Sequence, residues 1–265
     1  MDFDVIIIGG GAAGLFCAIE AGKRGRSVLV LEHNDRVGKK IAISGGGRCN
    51  FTNTNTRPEN FLSQNPHFCR SALARFTPSH FIELVEKHGI PYHEKKLGQL
   101  FCDGSSREII QMLLSECEAA NVKIFINSRV KRVAFSNAFE VEVNDRVLEG
   151  ESLVIAAGGL SIPTIGATSF GYDVAKQFGL NIIEPRPGLV PLAYDDSDGL
   201  GELSGISIDT SVSLGRARFR ENTLLTHRGM SGPAILQISS YWQPGEVINI
   251  NLLPEANAAD LLDEA

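Results

Sequence analysis

FDVIIIGGGAAGLFCAIEAGKRGRSVLVLE, residues 3–32, decides the fold. Residues 3–8 are an apolar run that three glycines end at once, which reads as a buried strand. Ala12, Leu15, Phe16 and Ile19 then recur at helical spacing, up to a stop near Gly25. Residues 27–32 are a second aliphatic and β-branched run, closed by an acid. Strand, helix and strand in this order predict the first β-α-β unit of a parallel sheet.

Gly9, Gly11 and Gly14 form GxGxxG between that strand and that helix. Gly9 allows the tight turn, Gly11 lets the backbone approach a pyrophosphate, and Gly14 permits close packing of helix on strand. The helix N-terminus adds free N–H groups and the positive end of its dipole. Glu32 ends the second strand, where a carboxylate can accept both ribose hydroxyls of an adenosine and disfavours a 2′-phosphate. The glycines alone would also fit a turn without ligand; the ordered combination with Glu32 points to a dinucleotide.

Further along, residues 38–57 are rich in Gly, Ser and Asn without periodicity, and a loop is expected there. Thr77-Pro78 opens a helix with Phe81, Leu84, Val85 and His88 on one face, and Ser105 with Glu108 forms a capping box for the next. Strands are expected at 122–126, as an antiparallel pair at 130–135 and 139–143, and at 152–156, returning to the main sheet. After Pro185 the pattern changes. Ile206, Ile208, Thr210, Val212 and Leu214 alternate with polar residues, as do Ile248, Ile250 and Leu252, which marks half-exposed antiparallel strands. The fold class is therefore α/β: a Rossmann-like dinucleotide-binding domain, residues 1–188, with a parallel sheet plus β-meander, and a β-rich inserted or substrate domain at 189–265. Only two long strands are evident in the second region, and a helix is expected to start after Pro254.

The chain has 265 residues, 43% apolar and 21% charged, an ordinary globular composition. Its net charge is −6, which argues against non-specific nucleic-acid binding; the expected partner is a small-molecule substrate and not a nucleic acid. No apolar run approaches the length of a membrane span and the N-terminus lacks a signal-peptide pattern, so a cytoplasmic protein with no membrane partner is expected. The cysteines at 17, 49, 69, 102 and 117 form no CxxC, and the histidines lack ligand spacing, so no metal is expected.

Three further segments carry candidate chemistry. In Ser44-Gly45-Gly46-Gly47-Arg48-Cys49-Asn50, successive glycine amides can form an anion nest or let a flat ring lie on backbone. There Arg48 could hold a phosphate or a reduced flavin's charge, and Asn50 and Asn53 could bond cofactor amides; Cys49 is weaker as a redox thiol, having no partner nearby in sequence. Ala156-Ala157-Gly158-Gly159 puts a tight turn at a carboxyl end of the sheet. In residues 226–233 Ser231 reads as a helix cap, Pro233 as a first-turn residue, and His227 as a candidate proton donor.

With DVIIIGGGAAGLFCAIEAG, VLVLEHNDRVGKKIAISGGGRCNFTN and LLTHRGMSGPAILQIS, the chain resembles a group of bacterial FAD-dependent oxidoreductases that includes aminoacetone-oxidase-like proteins and flavin reductases acting on unsaturated oxo bile acids. The likeness runs to about residue 254 and takes in the segment 158–179. It implies FAD as cofactor, in an oxidoreductase that passes a hydride to or from a small organic substrate and is reoxidised by oxygen or reduced by NAD(P)H. It also implies that Gly9, Gly11, Ala12, Ala13 and Gly14 hold the pyrophosphate, that Glu32 takes the adenosine ribose, and that His33 is among the cofactor-binding residues. Lys39, Lys40, Ser44, Gly45, Gly46, Gly47, Arg48 and Asn50 would run beneath pyrophosphate and flavin. Val130 would meet adenine through its backbone, and Ala157 and Gly158 would close over the cofactor. No catalytic acid or base is assigned by the resemblance.

Members of that group run to about 400 residues and end in a return to the cofactor domain that is absent here, so the chain is expected to be an N-terminal portion with an open sheet edge prone to self-association. A NAD-only dehydrogenase would share the first β-α-β but gives no reason for SGGGRCN. A nucleotide-binding regulatory or scaffold protein is the remaining alternative.

Overall fold

Phe3–Ile8 (β1), Ala12–Lys23 (α1) and Val28–Leu31 (β2) build the β-α-β unit in the computed structural model, which describes residues 1–194 and 199–256. Ile6, Ile7, Leu29 and Val30 are fully buried, because a parallel strand is covered on both faces. Lys39–Ile43 (α2) and Asn50–Asn53 (β3) follow, then Arg70–Arg75 (α3), Pro78–Lys87 (α4), Tyr92–Glu94 (β4), Gln99–Cys102 (β5) and Ser106–Ala119 (α5). Lys123–Phe125 (β6), Val130–Phe135 (β7), Phe139–Val143 (β8), Arg146–Ile155 (β9) and Phe170–Gln177 (α6) complete the first unit, Met1–Ile182.

The six strands of the main sheet lie in the order β6-β2-β1-β9-β8-β7. β6, β2, β1 and the end of β9 run parallel, while β7, β8 and the start of β9 form the antiparallel meander. β9 starts earlier than the sequence suggests and serves both halves. At the handover Gly150 pairs with Phe3 on one side and Phe139 on the other. A Cβ there would come within 2.9 Å of the Ile6 side chain.

The loop expected over 38–57 is corrected. It holds α2, a left-handed glycine turn at Ser44–Gly47 and β3. Ile41 is buried and anchors α2, and the Ser44 hydroxyl donates to the Ile41 carbonyl at 2.8 Å. β3 belongs to a three-stranded antiparallel sheet, β3-β5-β4, that polar NFTN conceals. Cross-strand packing holds it, with the Phe51 ring edge-on to Tyr92 at 5.5 Å. Helices α4 and α5 begin where the sequence places them, and Ser105 and Glu108 form the capping box of α5.

The second unit, Ile183–Ala265, contains Leu192–Ala193 (β10), Ser207–Leu214 (β11), Ala217–Thr226 (β12), Gly229–Ser231 (β13), Pro233–Ser239 (α7) and Asn249–Asn251 (β14). Its sheet is antiparallel throughout, in the order β10-β13-β12-β11-β14. Val212 packs with Ala234, Ile235 and Ile238 of α7, all fully buried. The expectation of only two long strands gives way to β12, ten residues long, of which Ala217 to Leu224 pair with the whole of β11. Arg218 and Arg220 interrupt its apolar pattern because that face is exposed. Ser231 lies in β13 and makes no cap; Gly232 precedes Pro233, which does open α7. The helix expected after Pro254 falls on 257–265, outside the described residues. Among the described residues no helix is long and apolar enough to cross a membrane.

Candidate functional site

The carboxyl ends of β1, β2 and β9 converge on a cavity of about 700 Å3 in the first unit, a size suited to a cofactor. Gly9 takes φ +116° and packs so closely on β9 that a Cβ would lie 2.3 Å from the Ala156 carbonyl oxygen. A Cβ on Gly14 would be 1.8 Å from the Gly9 carbonyl oxygen, so α1 can meet the turn only with glycine there. Gly11 differs, since a Cβ would meet nothing within 4 Å and its position opens onto the cavity. The first bond within α1 runs from the Leu15 amide to the Gly11 carbonyl at 3.0 Å, which leaves the earlier amides outside the helical ladder.

Glu32 is buried in the cavity wall beside the glycine turn. One carboxylate oxygen accepts the Gly10 amide at 2.9 Å, and the other accepts the Asn34 amide and side chain, each at 2.8 Å. A carboxylate offers about four lone-pair sites, so a hydroxyl can still be taken. Lys39 Nζ donates to Asn34 Oδ1 at 2.9 Å and pairs with Asp35 at 3.0 Å. The Asn127 amide donates to the Asn34 carbonyl and the Ser128 amide to the Glu32 carbonyl, both at 2.8 Å, and this brings Arg129 and Val130 to the wall. Lys39, Lys40 and Arg129 outnumber Glu32 among the charged lining residues, which suits an anionic ligand.

Of the residues singled out in the sequence, Gly9, Gly11, Ala12, Ala13, Glu32 and His33 line the cavity. So do Lys39, Lys40, Ser44, Asn50, Val130, Ala157 and Gly158. Gly14, Gly45, Gly46, Gly47 and Arg48 do not. Gly14 lies under the turn, Gly45 sits against the Phe101 ring, and Arg48 is exposed. Gly45, Gly46 and Gly47 all have positive φ, and that is the local reason for the run of glycines. Asn53 is engaged structurally, accepting the Asn55 amide at 2.8 Å and donating to the Leu97 carbonyl at 3.1 Å. Cys49 lines the cavity, but burial pushes its thiol up, away from the thiolate. His227 is exposed at the tip of the β12–β13 hairpin.

Sequence reasoning missed Asn34, Arg129 and the aromatic wall. Phe16 and Phe76 lie 4.8 Å apart, Phe76 and Phe81 6.4 Å, and Phe81 and Phe51 6.0 Å, and all four rings line the cavity. Their apolar spacing was visible, but it reads equally well as ordinary core.

The family model described as "HI0933-like protein Rossmann domain" matches residues 3–240. The chain is 53% identical over 266 residues to the ribosomal RNA dihydrouridine synthase of Escherichia coli, covering 99% of this chain and 66% of that protein. To the ribosomal RNA dihydrouridine synthase of Haemophilus influenzae it is 49% identical, covering 98% and 67%. It is 27% identical to the 3-dehydro-bile acid delta(4,6)-reductase of Clostridium scindens, covering 96% and 66%. The chain thus spans about two thirds of the length of these relatives. Its fold is the α/β Rossmann-like, FAD-binding type with an antiparallel meander and an added β-sheet unit, and the chain belongs to the HI0933-like protein Rossmann domain family.

Proposed function

We propose that this chain is the cofactor-binding part of an FAD-dependent reductase that saturates a carbon–carbon double bond conjugated to a carbonyl, and that its acceptor is a uracil in ribosomal RNA. The observation that carries the cofactor is the cavity over the glycine turn. The cradle at Gly11, where a Cβ would meet nothing within 4 Å, and the buried His33 Nε2, which has no hydrogen-bond partner among the described residues, fit a dinucleotide. The two relatives named for dihydrouridine synthesis, at 53% and 49% identity, support the acceptor. The bile-acid relative is named for reduction of an extended double-bond system, and the uracil C5=C6 bond conjugated to C4=O belongs to the same class of acceptor.

When bound and reduced by NAD(P)H, FAD supplies the hydride for such a bond. The chain's residues bind and orient. The α1 amides and Lys39, Lys40 and Arg129 face the pyrophosphate, while Glu32, held by Gly10 and Asn34, takes a ribose hydroxyl. Ser44 and Asn50 would hold the flavin end, Val130 would meet adenine, and Ala157 and Gly158 would cover the cofactor. The wall of Phe16, Phe51, Phe76 and Phe81 excludes water. Residues 1–188 serve the cofactor and the β-rich region serves the substrate.

The expectation of a small-molecule partner and no nucleic acid rested on net charge. A uracil ring is a small acceptor, but it is carried on RNA, and a base-modifying enzyme needs local and not overall positive charge. Such a substrate puts the reaction in the cytoplasm. Release and mass analysis of the bound nucleotide tests the cofactor: FAD is expected, and NAD or nothing counts against it. Deleting the gene and mapping dihydrouridine in the host's ribosomal RNA tests the acceptor. Loss of one such site is expected. An unchanged map, with turnover of a free oxo-steroid by the purified natural protein, favours the small-molecule acceptor instead.

A further inference from the structure

Outside the cavity, one strip of the first unit carries basic and aromatic side chains together. Residues 57–76 hold Arg57, Arg70 and Arg75, all exposed. The tip of the β4–β5 hairpin, with Lys95, Lys96 and the exposed Leu97, is fastened beside the start of this strip. Asn53 and Asn55 both donate to the Leu97 carbonyl, at 3.1 and 3.3 Å. Residues 48–76 and 94–98 contain six Lys and Arg against two Glu, in a chain whose net charge is −6. Arg70 lies 4.0 Å from Glu59; Arg57 and Arg75 have no ion pair among the described residues.

Aromatic rings are interleaved with these charges. Phe61 is 47% exposed and Phe68 79%, which leaves their faces open. Phe76, 40% exposed, contacts Phe16 and lines the cavity, so the strip runs from open surface to the cavity wall. A protein partner is met by an apolar centre with charge at the rim. Cations and exposed rings on one segment match single-stranded RNA, whose phosphates need the cations and whose unstacked bases need the rings.

We infer that this strip holds the single-stranded RNA flanking the reacting base, with phosphates on Arg57, Arg70 and Arg75 and bases on Phe61 and Phe68. The inference rests on the reading that the acceptor is part of an RNA. It adds the path by which the strand reaches the cavity.

Fluorescence anisotropy with a labelled twelve-nucleotide oligouridylate and with a duplex of the same length, over a salt series, tests it. The native chain should prefer the single strand. The triple variant Arg57→Ala, Arg70→Ala, Arg75→Ala should lower the slope of log affinity against log salt by about 2, at roughly 0.7 per phosphate contact. Phe61→Ala with Phe68→Ala should weaken binding about thirty-fold or more and leave the slope unchanged, while Phe68→Tyr should keep native affinity. Thermal melts check that each variant is folded, and if the double variant is not, Phe68→Ser replaces it.

RNA binding equal to native in both variants overturns the strip and leaves the RNA reading standing. No RNA binding by the native chain also overturns the strip, and the dihydrouridine map then decides the substrate by itself. A dimer that becomes monomeric in the phenylalanine variant, with RNA affinity unchanged, makes the face a self-contact and likewise overturns the inference.

Discussion

The Glu32 carboxylate accepts the Gly10 amide at 2.9 Å, which fastens the end of β2 to the turn that opens α1. Glu32 thereby has a structural duty besides any contact with ribose. Glu32→Ala should lower the stability of the ligand-free chain as well as its FAD affinity, each by about 1.5–3 kcal/mol, the range for hydrogen bonds to a charged group. Urea unfolding without ligand and titration calorimetry with FAD measure the two separately. Unchanged stability would show that the Gly10 and Asn34 contacts contribute nothing.

The glycines of the turn should separate by phenotype. Gly9→Ala forces a Cβ against the Ala156 carbonyl at φ +116° and should cost about 2–4 kcal/mol of stability. At Gly11 nothing lies within 4 Å, so Gly11→Val should leave the melting temperature of the ligand-free chain nearly unchanged. Its branched side chain should nevertheless abolish FAD binding, read by retained absorbance after desalting.

Acid should destabilise the first unit through Glu116. Lys23 at 2.8 Å, Lys87 at 2.7 Å and His88 at 2.9 Å hold this buried carboxyl down to about 2. Its folded value lies below the unfolded one, so the stabilisation is complete above about pH 4.5 and is lost as the pH falls toward 2. The amount at neutral pH is about 2–3 kcal/mol, since the lysines are half-exposed and partly screened. Glu116→Gln should be less stable at pH 7 and show a flatter decline between pH 5 and 3 in urea melts.

Burial pushes the Cys102 thiol up to about 12 and the Cys117 thiol up to about 11. Both should resist a thiolate-selective disulfide reagent at pH 7.5 until the chain unfolds. Mass mapping of labelled cysteines in native and urea-unfolded protein checks this. Rapid native labelling of Cys102 would show that the β3-β5-β4 sheet opens readily.

Regular periodicity made the first β-α-β, the capped helices and the meander legible in the sequence. Where side-chain pattern and pairing diverge, it did not. Asn50–Asn53 forms a strand because Gln99–Cys102 offers an edge, a partner some fifty residues away that local composition does not reveal. Arg218 and Arg220 hid β12 because its exposed face tolerates long charged side chains. At the site, the strand-end position of Glu32 was readable, but its engagement with Asn34 depends on how the backbone turns after β2. Arg48 looked like a ligand residue from its glycine neighbours, and the positive φ values of Gly45 to Gly47 turn the chain so that it stands exposed.

β9 pairs with β8 through its first half and with β1 through its second, without a break. One residue inserted into it would move every later side chain to the opposite face, on both the meander and the nucleotide sheet together. Length variation is therefore confined to its ends: the Asn144-Asp145 turn can absorb added residues, whereas the strand itself cannot. A deletion scan through 144–155 should spare soluble yield at the Asn144-Asp145 turn and show a sharp drop at the first residue of β9, marking a part of this chain little able to change length in evolution.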